Sequence, residues 1–234
     1  MKIPTPTPRH LKLGIAAGVT ALLLGGTAAP AFASGATASR AAAPATASAR
    51  SLEVIRAACN YEIDRRLFIL TIADNWIASA RHLTDEQRSS MTTSNASVVE
   101  HLTGVNRPAV NAAGTTDALK AACEDIRTDN RVYAVVIPQL LLTIRNDQLA
   151  DAVERLTALS AEKAAAGHDT TQVDAWLADA GPHVTSSQAS VASVTVDSFN
   201  ADPDGARAAF DSAQSDIAAA FGDVVQTFRA LMSM

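Results

Sequence analysis

The sequence predicts an all-α fold, an elongated antiparallel bundle of about six helices. Three observations carry that prediction. The chain is rich in Ala and only 4% aromatic; Ala is the best helix former, whereas strands draw on β-branched and aromatic residues. Apolar residues recur at helical spacing over most of Ser51 to Met232. Between the periodic stretches stand helix-start signals, Thr84-Asp85-Glu86-Gln87 and Asp202-Pro203-Asp204.

The N-terminus reads as a signal peptide over residues 1–33. Lys2, Arg9 and Lys12 form a positive n-region, and Leu13 to Gly26 is an apolar, small-residue h-region. Ala31-Phe32-Ala33 then fits a small-x-small cleavage site, with the cut between Ala33 and Ser34. An uncleaved membrane anchor is the alternative, since the uncharged stretch is long enough to span. Gly, Pro and the cleavage signal argue against it. The expected location is secreted or extracellular, with no membrane association after cleavage. Without the leader, 16 basic side chains face 24 acidic ones, a formal charge of −8. That balance excludes a nucleic-acid groove, which needs clustered Lys and Arg.

Ser34 to Arg50 is Ala, Ser, Thr and Pro with nothing to bury, so residues 34–50 read as a disordered linker before a bundle domain over residues 51–234. The first helix is expected from Ser51 to His82. Ile55, Cys59, Ile63, Leu67, Leu70 and Ile77 form one apolar stripe, and Ile69, Ile72, Trp76 and Leu83 a second beside it. A face that wide touches two or more partners. Thr84 to Gln87 is a capping box, so the chain turns into a second helix from Asp85 towards Val105. Pro108 and Gly114 bracket the end of that helix. Thr115 or Thr116 caps a third, with Leu119, Ala122, Cys123 and Ile126 on one face.

Asp129 to Ile144 is the most apolar and β-branched run after the leader, and the flanking helices should pack around it. Pro138 lacks a backbone donor and disfavours helix at Ile137, so a break in direction is expected there. A fourth helix then covers Gln139 to Ala166, with Gly167 as its C′ residue. A fifth starts near Asp169 to Gln172 and is kinked or split at Gly181-Pro182. The sixth starts at Asp202-Pro203-Asp204 and runs to about Met232. In it Phe210, Ile217, Val224 and Leu231 make a coiled-coil-like heptad seam, widened by Phe221 and Phe228.

Three pieces carry a resemblance: Ile63 to Leu67 (IDRRL), Arg131 to Pro138 (RVYAVVIP) and Leu156 to Leu159 (LTAL). With the RVYAxxxP run as its most specific feature, the chain from about Leu52 onward resembles a family of secreted, all-helical bacterial proteins with no assigned activity. The resemblance implies a fold and a location, and carries over no site. Gln139 departs from it, standing where a basic residue is expected.

Cys59 and Cys123 are the only two cysteines. In a chain bound for an oxidising compartment an even count favours a disulfide. Two helices of similar length running out and back would bring the pair level; two buried free thiols are the alternative. His82, His101, His168 and His183 fall at or near expected helix ends or in loops. No H-E-x-x-H, E-x-x-H, nucleophile elbow, P-loop or dinucleotide fingerprint occurs. Catalytic, cofactor-binding and metal residues are therefore expected to be none. Glu62, Asp64, Arg65 and Arg66 read as a salt-bridged helix face. Arg131 and Tyr133 read as a polar contact beside the central break. The expected function is a non-enzymatic bundle that binds another macromolecule of the cell envelope or medium. The alternative is a small-ligand binder with a pocket near Tyr133, Pro138 and Gly181-Pro182.

Overall fold

A computed structural model describes residues 44–234 of the chain. The expected signal peptide, its cleavage site at Ala33 and Ser34, and linker residues 34–43 lie outside the described residues. The described residues form helices and connecting turns with no strand. They are α1 (Pro44–Ser79), α2 (Asp85–His101), α3 (Arg107–Ala112), α4 (Thr116–Thr128), α5 (Ile137–Ala165), α6 (Thr171–Ser193), α7 (Val196–Ala201) and α8 (Pro203–Ser233). The first begins at Pro44, inside the stretch read as linker. Pro is pre-organised for a first helical turn and the Ala-rich run after it propagates helix readily.

A π turn, Leu102–Asn106, joins α2 to α3 without a break, and another, Val132–Val136, leads into α5. Each ends two residues before a proline, Pro108 and Pro138. In an α-helix the proline ring would meet the carbonyl four residues back. Here the preceding amide reaches one residue further, Arg107 N–H to Leu102 O and Ile137 N–H to Val132 O. The wider turn takes up the ring, and the helix continues. The break expected at Pro138 therefore falls earlier, at Arg131, whose φ of 43° is left-handed. Likewise α6 runs unbroken through Pro182.

The caps expected at Thr84, Thr115, Asp202 and Gly167 hold, whereas at the start of α6 the N-cap residue Thr170 makes no side-chain cap bond. Thr84 Oγ1 accepts from the Gln87 amide at 3.1 Å while Gln87 Oε1 accepts from the Thr84 amide at 2.8 Å. The other end of the Gln87 side chain donates to Asp147 of α5 at 3.0 Å. Thr115 caps α4, Asp202 caps α8, and Gly167 closes α5 at φ 92°. The short α7 follows a Thr195–Ser198 capping box and was not expected from the sequence. Its Ser stands where the usual signature has Glu or Gln.

Five apolar clusters make the core. Ile63 and Leu70 of α1 pack with Leu102, Val110, Leu119, Ile126 and Val132. Ala73 and Ile77 meet Leu140, with Trp76, Met91 and Ile144 around them. In the C-terminal half, α5, α6 and α8 form a three-helix bundle: Leu142, Val191 and Phe210 at one end, Leu149, Ala180 and Ala220 in the middle, Leu156, Leu177 and Leu231 at the other. That order makes α6 antiparallel to both neighbours. The heptad seam of α8 faces the core, but Phe221 and Phe228 do not widen it; they are exposed. The stripe that turns inward beside the seam is Ala206, Ala213, Ala220 and Thr227. These small residues let α6 approach closely, and Ser187 of α6 donates to Ala213 O at 3.0 Å.

The Cys59–Cys123 disulfide is present, with Cα atoms 5.6 Å apart, joining α1 to α4. Continuation of α2 through Pro108 into α3 supplies the return length that sets the sulfurs level. Asn60 and Asn111, and Arg56 with the Val110 and Ala113 carbonyls, bind α1 to α3 alongside. The bond closes a loop 64 residues apart in sequence. A constraint of that span removes about 4 kcal/mol of unfolded-state freedom in the chain-entropy description, against a total stability of roughly 5–15 kcal/mol for such a domain. Cys59→Ser is expected to lower Tm by roughly 8–16 °C, from about 2–4 °C per kcal/mol, while far-UV circular dichroism stays helical. Thermal melts of the wild type and the variant measure it, and an unchanged Tm would contradict it.

Candidate functional site

The outer face of α1 carries a stripe of exposed large apolar side chains. Val54, Tyr61 and Phe68 lie seven residues apart on one helical stripe and are 69%, 62% and 69% exposed. They belong to neither inward stripe of α1, so the core never claims them. Beside them Tyr133 stands at the start of the π turn before α5, and with Tyr61, Asp64, Arg65, Phe68 and Ile69 it lines an open groove. A contiguous apolar surface with a charged rim is the usual mark of a protein-binding site.

One wall of the groove, the Tyr133 ring, is held by a buried arginine. Arg66 is buried, and its guanidinium donates to the Glu62 carbonyl at 2.9 Å and to the Glu62 carboxylate at 2.8 Å. The Tyr133 ring lies over that guanidinium at 5.3 Å. A cation against the ring face holds the aromatic ring in place. Two of the short sequence pieces, IDRRL and RVYAVVIP, thus meet in space. The remaining charges form the expected salt-bridged face. Arg65 reaches Glu62 at 3.4 Å, and Asp64 holds Arg107 of α3 at 2.5 Å.

The expected Arg131–Tyr133 contact is absent, because the two side chains point to different partners. Arg131 Nε donates to Asn200 Oδ1 of α7 at 2.6 Å, and its guanidinium lies 5.3 Å over the Phe199 ring. The Arg131 carbonyl meanwhile accepts from the amides of Ala134 and Val135 at 3.0 and 2.7 Å. Arg131 is a hinge pin between α4 and α5 and shares no cluster with the groove. Gln139, where a basic residue was expected, donates to the Val191 and Val194 carbonyls at 3.4 and 3.2 Å. A basic residue would suit that spot too, at the negative end of α6.

Tyr133 and Pro138 do not open into one cavity. Tyr133 faces the α1 groove; the residues around Pro138, namely Val136, Gln139 and Leu140, line a separate cleft of about 500 Å³ against α2. Gly181 and Pro182 border neither. Asn95 floors the α2–α5 cleft, where its amide nitrogen donates to the Leu70 carbonyl at 2.9 Å and to the Asp74 carboxylate at 2.6 Å.

Three histidines pair with aspartates on other elements: His82 with Asp151 at 3.0 Å, His101 with Asp129 at 3.2 Å, and His183 with Asp216 at 2.8 Å. Contrary to expectation, His183 sits inside α6. Ser186 also donates to Asp216, at 2.7 Å. Serine and histidine thus share one carboxylate and do not bond each other. A nucleophile relay would need the serine on the histidine, so this cluster is a staple between α6 and α8. Among the described residues no group of three or more His, Cys, Asp or Glu side chains is placed to hold a metal ion, and no helix is long and apolar enough to cross a membrane.

No family model, curated protein or solved structure matches the chain.

The His183–Asp216 staple sets a pH dependence. Its hydrogen bond to Asp216 raises His183 above the ordinary 6.5, and the bonds from Ser186 and His183 hold Asp216 below the ordinary 3.8. The histidine contribution to stability is full below pH 6.5 and is lost as pH rises through the raised value. The aspartate contribution is full above 3.8 and is lost as pH falls through the lowered value. The Tm difference between the wild type and His183→Gln should therefore be largest near pH 5–6 and shrink by about pH 8. A difference that grows with pH in paired melts would contradict the assignment.

Proposed function

We propose that the protein is a secreted, non-enzymatic helical bundle that binds another macromolecule of the cell envelope or the surrounding medium, and that α1 presents the binding face. One observation carries this reading: Val54, Tyr61, Phe68 and Tyr133 are exposed on a single surface, while the core is fully supplied by other residues. Aromatic rings give a large contact area for few rotatable bonds, which suits protein recognition, and Tyr133 is held by its stack on Arg66. Export is supported by the N-terminal charge and hydropathy pattern with its cleavage signal at Ala33, and by a disulfide compatible with an oxidising compartment. The resemblance to secreted all-helical bacterial proteins points the same way. The mature chain is read as free of the membrane, with no cofactor and no nucleic-acid partner.

Replacing Phe68 with Glu adds a charge at the centre of the face without touching the core. Cross-linking of tagged, exported protein on intact producing cells, followed by mass spectrometry, should recover a specific partner with the wild type and with a control substitution on exposed Gln148. The Phe68→Glu variant should recover it at least about tenfold less, since a central interface aromatic typically contributes 1.4 kcal/mol or more. Identical profiles for all three proteins, or exported material still carrying Met1, would reject the reading.

A further inference from the structure

The cleft between α2 and α5 is lined mainly by acceptors and hydroxyls over an apolar floor. Two rows of α2 residues at four-residue spacing, from Glu86 to Ser94 and from Gln87 to Asn95, make one wall, and one face of α5, from Val136 to Thr143, makes the other. From Glu86 to Asn95 the slot runs about 13 Å, at 1.5 Å of rise per residue. Its volume of about 500 Å³ suits a small ligand. Glu86 is the one charged residue of the lining. Arg88 of α2 is turned to the carbonyls of Ile77 and Ala80, and Arg145 of α5 lines no part of the cleft. The positive end of α2 is already offset by Asp85 and the Thr84–Gln87 capping box. Gln139 donates through Nε2 to carbonyls at the end of α6, which leaves Oε1 as its free group. Thr143 donates to the Gln139 carbonyl at 2.9 Å, so its oxygen is left to accept. Met91 and Leu140 supply the apolar floor between these groups.

Asn95 is the second observation that points to a ligand. It is only 3% exposed, and its Nδ2 is spent on the Leu70 carbonyl and the Asp74 carboxylate of α1. Its Oδ1 is buried and accepts from no group of the protein. The two ends of a planar amide point in different directions, so with Nδ2 on α1 the oxygen is turned to the cleft that Asn95 floors. A buried acceptor without a donor costs stability, and the Asp74 carboxylate on the nitrogen makes the oxygen a stronger acceptor. Met91, one turn back on the same row, is unbranched and only half-buried, so it can yield to an entering donor. We infer that the cleft binds a linear polyamine. One terminal ammonium pairs with Glu86, the other donates to Asn95 Oδ1, and the methylenes lie over Met91 and Leu140. An internal ammonium then passes beside Gln139. An anion would meet Glu86, and a sugar would leave the apolar floor uncovered. The cleft is separate from the α1 face, so this inference and the proposed function fail independently.

Isothermal titration calorimetry of the purified protein, with its disulfide intact, tests the inference. Spermidine is the probe, and octanediol, uncharged and of similar length, is the comparison. Spermidine should bind at a single site with Kd below about 1 mM, and octanediol at least about tenfold more weakly. Glu86→Gln should raise the spermidine Kd about three- to fivefold, the scale of a partly exposed ion pair. Asn95→Leu removes the buried acceptor and should raise it at least about tenfold. Circular dichroism checks that this core variant is folded. Ser94→Arg gives a second route that leaves the core alone, because Ser94 is exposed. It sets a cation at the cleft and should also raise Kd at least about tenfold. Gln188→Arg makes the same charge change at an exposed position of α6 outside the cleft, and should stay within about twofold. A protein that takes up no spermidine, or that binds octanediol equally well, overturns the inference. So does an equal loss in Ser94→Arg and Gln188→Arg, which would mark unspecific attraction to an acidic chain.

Discussion

One constraint shapes the fold: Arg131 to Ile144 must satisfy three cores at once. Val132, Val136 and Ile137 pack into the disulfide-bonded N-terminal core. Ile137 also turns to α1 near its end, with Leu140 and Ile144, while Val135 and Leu142 face the C-terminal bundle. A strand would show two faces and an ordinary helix a narrow stripe. A π turn running into an α-helix spreads consecutive apolar side chains over a wider arc, and this explains why the run is apolar almost throughout. The left-handed Arg131 starts that turn, and its side chain fixes α7 on the opposite side. Asn200 of α7 in turn donates to the Thr128 carbonyl at the end of α4, at 3.0 Å.

The N-terminal half divides the labour of α1 between two surfaces. Its inner stripe, with Cys59, Ile63 and Leu70, is locked to α3 and α4 by apolar packing, the disulfide and the Arg56 bonds to the α3 end. That fixation is what allows the outer stripe to remain exposed and apolar without costing the fold, since no core contact depends on Tyr61 or Phe68. Beside that stripe, the stack on Arg66 holds the Tyr133 ring. Under the proposed function, structure and recognition lie on opposite sides of one helix.

Much of this was legible in the sequence, for physical reasons that can be named. Helix starts at Thr84, Thr115 and Asp202 were readable because capping is a local hydrogen-bond problem solved by nearby residues. The disulfide was readable from cysteine count and from helix lengths. Pro108 and Pro138 misled, because proline rules describe α-helices and π turns evade them by lengthening a single hydrogen bond. The inward side of α8 was misjudged at Phe221 and Phe228: which flank of a heptad seam turns inward depends on how closely a neighbour can approach, and Ala206, Ala213 and Ala220 decide that. The Arg66–Tyr133 stack and the Arg131–Asn200 bond join residues 67 and 69 positions apart, a separation that no local pattern encodes.

If Arg131 to Ile144 is the shared keel of both halves, they must unfold together. The chain supplies its own reporters, since its two tryptophans fall in different halves: Trp76 packs beside Ile77 and Leu140, and Trp176 beside Val173 and Leu231. The direct measurement is equilibrium urea unfolding of Trp76→Phe and Trp176→Phe proteins, each followed by the remaining tryptophan's fluorescence and by far-UV circular dichroism. Within each variant the two signals should give the same midpoint, and Val135→Ala should lower that midpoint in both variants by the same amount. Separated transitions, with Val135→Ala moving only the Trp176 signal, would show two independent bundles and contradict the shared keel.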